Sequence, residues 1–171
     1  MGGENFWVTT AASSETDQWA TPQDFFDTLS SEFDFVLDPC ALSTSAKTKA
    51  WFGPDHPQIE RRDGLSADWH QEVSDLGGGV VFMNPPYGKT IRQWTTKANN
   101  TAASGTTVVC LLPSRTDTRW FHEDCIMHEC RFIKGRLKFG QAQFGAPFPS
   151  VVVVMRGSTL EQWKLWANTH K

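Results

Sequence analysis

Tyrosine is almost missing from this chain: Tyr87 is the single one among 171 residues. Several other features are absent. No apolar run approaches the roughly 20 residues needed to cross a bilayer, which argues against a helical membrane protein. The opening Met1-Gly2-Gly3-Glu4-Asn5-Phe6 has neither the basic start nor the apolar core of a signal peptide. A soluble, cytoplasmic protein is the expectation. The four cysteines, Cys40, Cys110, Cys125 and Cys130, form no Cys-x-x-Cys pair. Without a secretory signal they are expected as reduced thiols. His122, Cys125, His128 and Cys130 lie close together in sequence, but their spacing is not that of a zinc site, and no metal is expected. There is no internal repeat, and no obligate protein partner is evident.

What is present suits one compact domain over residues 17–171, preceded by a Ser-, Thr-, Gly- and Ala-rich stretch over residues 1–16 that reads as a flexible tail. Eight tryptophans and twelve phenylalanines supply the large apolar surface such a core needs. The net charge of −3 hides an asymmetry. Residues 1–100 carry 7 Lys and Arg against 14 Asp and Glu, whereas residues 101–171 carry 9 against 5, a local balance of +4. An acidic total therefore does not exclude nucleic acid, which is contacted through local basic patches.

Thr21 reads as an N-cap and Pro22 as the first position of a helix bearing Phe25, Phe26, Leu29 and Phe33. Phe35–Leu37 is a short strand, Ala41–Trp51 is moderately helical, and Asp55–Arg62 is a polar loop. Gly77-Gly78-Gly79 leads into a buried strand over Val80–Met83, and Ile91–Ala103 is a helix bearing Trp94. Thr106–Leu112 is a further buried strand, stopped by Pro113. A helix with mixed faces follows over Asp117–Glu129, with Trp120 and Phe121 turned inward. Arg131–Ile133 and Leu137–Phe139 are shorter strands around Gly135, and Ser150–Met155 is the last strong β run. A closing helix carries Trp163, Leu165 and Trp166. Strands alternate with helices until about residue 130 and then crowd together. The fold class is α/β: a mostly parallel sheet with an antiparallel C-terminal edge.

In open parallel sheets, ligands collect beyond the carboxyl ends of the strands. Three strand exits here carry polar-proline signals: Asp38-Pro39-Cys40-Ala41, Asn84-Pro85-Pro86-Tyr87 and Pro113-Ser114-Arg115-Thr116-Asp117. All three are expected on one rim. Pro-Pro after a strand ends pairing and fixes a rigid extended turn, able to aim an amide and a carbonyl at a ligand. A proline-rich turn with a packed aromatic is the structural alternative for the second.

These exits, with Trp19-x-Thr21-Pro22, Asp63-Gly64-Leu65, Thr118-Arg119-Trp120-Phe121 and Arg131–Phe139, resemble the phage-type DNA adenine-N6 methyltransferase (Dam) family over roughly residues 18–155. The resemblance implies a Rossmann-like methyltransferase fold, S-adenosylmethionine as methyl donor and adenine in DNA as acceptor. It implies that Asn84 and Pro85, with Pro86 and Tyr87, form the catalytic loop. The Asn84 side-chain oxygen and the Pro85 carbonyl would accept the two N–H bonds of the amino group, and Tyr87 would stack on a flipped-out base. It places Asp38, Pro39, Cys40 and Ala41 at the methionine end of the cofactor, Asp63 at its adenine, and Thr21 and Pro22 over its pocket. The segment after Asp38 lacks the Gly-x-Gly common in methyltransferases. The basic set Arg115, Arg119, Lys134, Arg136 and Lys138, interleaved with aromatics, reads as a phosphate-contacting surface or, alternatively, as a solvated face. Methylation of another planar amine (cytosine N4, RNA adenine, a glutamine amide) and a catalytically inactive DNA-binding relative remain as other readings. A bacteriophage origin, a bacterial host cytoplasm and a part in restriction and modification follow from the resemblance alone.

Overall fold

A six-stranded sheet carries the molecule, and the order of its strands decides where a ligand can bind. The computed structural model describes residues 19–157, so the expected tail and the closing helix lie outside the described residues. In chain order the elements are α1 (Gln23–Ser30), β1 (Phe35–Asp38), β2 (Ala50–Trp51), a 3-10 turn (Ile59–Arg61), α2 (Trp69–Asp75) and β3 (Val80–Met83). Then come α3 (Ile91–Ala103), β4 (Val108–Pro113), a π-helical turn (Phe121–Cys125), β5 (Glu129–Phe132) and β6 (Ser150–Met155). The sheet order is β2-β1-β3-β4-β6-β5. The first four of these strands run parallel, while β6 runs against both β4 and β5. This is the expected mostly parallel α/β sheet with an antiparallel edge.

Continuous apolar runs make the central strands. Every residue of β4 and of β6 is buried, as required of strands covered on both faces. α1 turns Phe26 and Leu29 inward, and Phe26 meets Phe35 of β1 and Phe82 of β3 at ring-centroid distances of 5.3 and 5.0 Å. Trp69 of α2 and Trp94 of α3 are fully buried and stack at 6.2 Å. The contact between Trp69 and Trp94 puts these two helices on one side of the sheet, as expected of parallel crossovers of one hand from β1 to β3 and from β3 to β4. Gly77, Gly78 and Gly79 all have positive φ, the region that L side chains rarely adopt, which explains the glycine run before β3.

Four sequence expectations are corrected. Ala41–Trp51 is not helical: Asp38 captures the Lys47 N–H (3.1 Å) and Asp55 captures the Ser43 N–H (3.1 Å), so side-chain acceptors replace a helical ladder. Pro22, not Thr21, is the N-cap, because the Thr21 hydroxyl is engaged elsewhere. Within Asp117–Glu129, Asp124 is drawn to the hydroxyls of Thr95 and Thr96 on α3 (2.8 and 2.9 Å), and only a π-helical turn forms. Leu137–Phe139 forms no strand. Gly135 and Gly140 bend the backbone on either side of it with φ of 83° and 57°. Two elements, α2 and β2, are additions to the sequence reading.

Candidate active site

The strand order reverses direction at β1, with β2 on one side and β3 on the other, and such a switch point opens a crevice beyond the carboxyl ends of the two strands. The structure has a cleft of about 130 Å³ there. Its walls are Asp38, Cys40 and Ala41 from the β1 exit, Asn84, Pro85 and Pro86 from the β3 exit, and the strip Trp19-Ala20-Thr21 from before α1. Leu42, Thr44, Ser45 and Lys47 complete it, with Phe82 and Pro54.

Asn84 is held from one side only. Its amide nitrogen donates to the Trp19 carbonyl (2.5 Å) and to the Thr21 hydroxyl (2.9 Å). A carbonyl can only accept, so the contact to Trp19 fixes which end of the amide is nitrogen. The other end, Oδ1, is buried and has no hydrogen-bond partner. A buried unmatched acceptor costs about 1–3 kcal/mol, so it calls for an explanation. The Pro85 carbonyl likewise accepts no hydrogen bond from the described residues.

Asp38 ends β1 and is buried, 4 % exposed. The backbone N–H groups of Cys40 (3.5 Å) and Lys47 (3.1 Å) point at it. Burial raises its pKa to about 7, opposed by those two N–H groups and by the Lys47 charge. Lys47 is itself pulled below its ordinary value by burial, and its ammonium donates to Gln23 (2.9 Å). Burial, and then the Asp38 charge, push the pKa of the Cys40 thiol well above its ordinary value.

The remaining expected residues divide. Pro39 is buried behind the cleft, with its carbonyl against Gly64, and Pro22 stands just outside it. Asp63 does not line the cleft: its carboxylate closes its own turn through the N–H of Leu65 (3.0 Å) and the Ser66 hydroxyl (2.5 Å). The β4 exit from Ser114 to Asp117, expected on the same rim, does not line it either, because β4 stands one strand further from the switch point. Tyr87 also departs from expectation. It is 3 % exposed, its hydroxyl donates to the Leu111 carbonyl (3.2 Å), and its ring meets Phe148 and Phe139 edge-on at 5.4 and 6.1 Å.

Of the basic set, Arg119 is bonded to Glu123 (2.5 Å), which Arg92 also pairs. Arg115, Lys134, Arg136 and Lys138 are exposed and in no ion pair among the described residues. Phe139 and Gly140, which follow Lys138, are fastened to the strip that holds Asn84: Phe139 packs on Trp19 at 5.5 Å, and the Gly140 N–H donates to the Ala20 carbonyl (2.7 Å).

The DNA N-6-adenine-methyltransferase (Dam) family model matches residues 8–167, nearly the whole chain. The chain belongs to the Dam family. It is a DNA adenine-N6 methyltransferase. No curated protein is matched by the chain. No helix among the described residues is long and apolar enough to cross a membrane.

Sequence reasoning missed several contributors to this Dam-family cleft. Lys47 lay inside a supposed helix. Gly53 and Gly64 pack so closely beneath the β1 exit loop that a Cβ on either would fall 1.8 Å from the Ala41 or Pro39 carbonyl oxygen. The signal for Gly64 was present in Asp63-Gly64, but it marks packing under the loop.

Proposed function

We propose that the cleft binds S-adenosylmethionine with its ammonium end at Asp38, and that Asn84 and Pro85 receive the amino group of an adenine flipped out of DNA. The unpartnered Asn84 Oδ1 carries this reading. An acceptor whose amide is held in place by Trp19 and Thr21, and which has no hydrogen-bond partner of its own, is what an exocyclic N–H₂ requires. A buried carboxyl beside the same cleft suits a cationic ligand group, whose charge would favour the ionised Asp38.

When bound, the cofactor supplies the methyl group, its S–CH₃ bond breaking as the N6–CH₃ bond forms. The protein's part is positional. The adenine nitrogen is a poor nucleophile because its lone pair is delocalised into the ring. Two acceptors, Asn84 Oδ1 and the Pro85 carbonyl, draw both N–H bonds out of conjugation and turn the lone pair toward the methyl group. The methylated nitrogen is acidic and passes its extra proton to water, so no strongly basic side chain is needed. Thr21 acts behind Asn84 as a positioning residue.

A base stacked in a duplex does not reach a cleft at the end of a sheet, which supports extrusion. Trp19, Tyr87, Phe139 and Phe148 form an edge-to-face cluster beside Asn84. The incoming base has to part this cluster, and Tyr87 then offers its face for stacking. Arg115, Lys134, Arg136 and Lys138 supply phosphate contacts.

The test is transfer of labelled methyl groups to plasmid DNA followed by nucleoside analysis, for the unsubstituted chain and for Asn84→Ala. N6-methyl-2′-deoxyadenosine formed at equal rates by both would remove Asn84 from the mechanism. Label in N4-methyl-2′-deoxycytidine would move the acceptor.

A further inference from the structure

The segment between β5 and β6 is built like a presented tip. At its stem the Ile133 N–H donates to the Ser150 carbonyl (3.1 Å), and higher up the Ala146 N–H donates to the Leu137 carbonyl (2.8 Å). Phe139, Ala146 and the Gly140–Ala20 hydrogen bond fasten it beside the active site. Between these anchors, Gln141, Ala142, Gln143, Phe144 and Gly145 all stand in solvent. Phe144 is 77 % exposed, the most exposed large hydrophobic side chain of the described residues.

An exposed phenylalanine is ordinary by itself. Two further observations give this one a role. Lys134, Arg136 and Lys138 on the same segment have no ion-pair partners, so the side of the molecule that carries Phe144 attracts an anionic polymer. Gly140 is bonded to Ala20, whose neighbours Trp19 and Thr21 hold the Asn84 amide. Phe144 is four residues beyond that bond, a reach of at most about 14 Å. A duplex that delivers a base to Asn84 therefore has its vacated stack within reach of the tip.

We propose that Phe144 is the wedge that enters the base stack when the target adenine leaves it. The inference rests on the reading of the Asn84 cleft as the adenine site. Extruding a base removes stacking on both its faces, and an apolar side chain inserted in the gap restores part of it. Gly145 packs against Arg136, where a Cβ would fall 2.6 Å from the Arg136 Cβ, so the tip that carries Phe144 is tied to the basic segment.

The experiment compares Phe144→Ala and Phe144→Leu with the unsubstituted chain on three oligonucleotides: a fully paired duplex, the same duplex with an abasic site opposite the target adenine, and the single strand. Phe144→Ala should lose about tenfold in kcat/KM on the paired duplex and under twofold on the single strand, which has no duplex stack to open, with the abasic duplex between them because its target has lost pairing but keeps its stacked neighbours. Phe144→Leu should restore most of the loss, and melting temperatures should be unchanged because the ring is exposed. A loss of equal size on all three substrates, or none on the paired duplex, would overturn the proposal. Absence of adenine methylation on all three substrates by the unsubstituted chain would instead sink the adenine-site reading, and the wedge with it.

Discussion

The crevice between β1 and β3 and the segment between β5 and β6 are both polar and adjoin each other, yet they are built on opposite principles. In the crevice, polar groups are buried and restrained: Asn84 is bonded from behind and Asp38 is 4 % exposed. On the segment, Lys134, Arg136 and Lys138 are exposed and unpaired, and the anchoring is left to Phe139 and Phe148. Chemistry at a nitrogen lone pair needs donors and acceptors fixed to a fraction of an ångström, and burial provides that. Contact with a phosphate backbone needs charge that is not already neutralised, and exposure provides that. Substitutions in the two regions should therefore fail in different observables.

The largest effect is expected in the crevice. Asn84→Ala should lower kcat by roughly 10²–10³, as for removal of one transition-state partner, with cofactor affinity by calorimetry nearly unchanged. Loss of cofactor binding in step with kcat would show that Asn84 shapes the cleft instead of serving the amine.

Tyr87 comes next and tests the boundary between the regions. Because it is packed in the core, Tyr87→Ala should destabilise the fold by about 3–5 kcal/mol, while Tyr87→Phe should cost about 1 kcal/mol for the lost bond to Leu111. Tyr87→Phe should keep much of the activity, since stacking does not need the hydroxyl. A Phe variant as inactive as the Ala variant, though stably folded, would assign the hydroxyl a part in the reaction.

The third effect is one of pH. Asp38 has an ordinary value of 3.8 and is raised to about 7 in the fold. The folded state thus holds a proton that the unfolded chain has lost, and between these values stability falls as pH rises. A cationic ligand needs the carboxylate, so cofactor affinity should fall by up to about tenfold per pH unit below pH 7, with proton release on binding. Asp38→Asn should abolish both dependences. Persistence of the same binding profile in Asp38→Asn would place the titrating group elsewhere.

The smallest effects belong to the exposed segment. Lys134→Gln and Arg136→Gln should each flatten the plot of log DNA affinity against log salt by about one unit. Arg119→Gln should change it less, because Arg119 is bonded to Glu123 in the free protein. Equal slopes for all three would mean that pairing does not sort these cations and would erase the distinction drawn above.

Most of the fold was legible because apolar runs and strand-exit signals are local. β3, β6 and α3 stand within their expected bounds, and Asp38 and Asn84 meet where strand ends predict. What escaped depends on contacts distant in sequence. Nothing within Ala41–Trp51 reveals that Asp38 and Asp55 will take its N–H groups. Asn84 and Tyr87 are three residues apart in one motif, yet one faces the crevice and the other turns to Leu111, a choice made by β4. The β4 exit looked equivalent to the other two, and only the sheet order removes it from the crevice. Pairing is also invisible locally: Arg119 and Lys134 are alike as letters, and Glu123 distinguishes them.

The position of β6 between β4 and β5 has a consequence for the order of assembly. β5 leaves the ribosome first but has no neighbour in the sheet until residues 150–155 arrive to pair with it. Its edge waits unpaired, and the basic segment between the two strands has no stem, until the last strand inserts. Sheet completion and formation of the stem of this basic segment are therefore one late event. A nascent chain ending before Ser150 would hold the crevice strands β1 and β3 in sequence, yet lack the stem that carries the basic segment beside them.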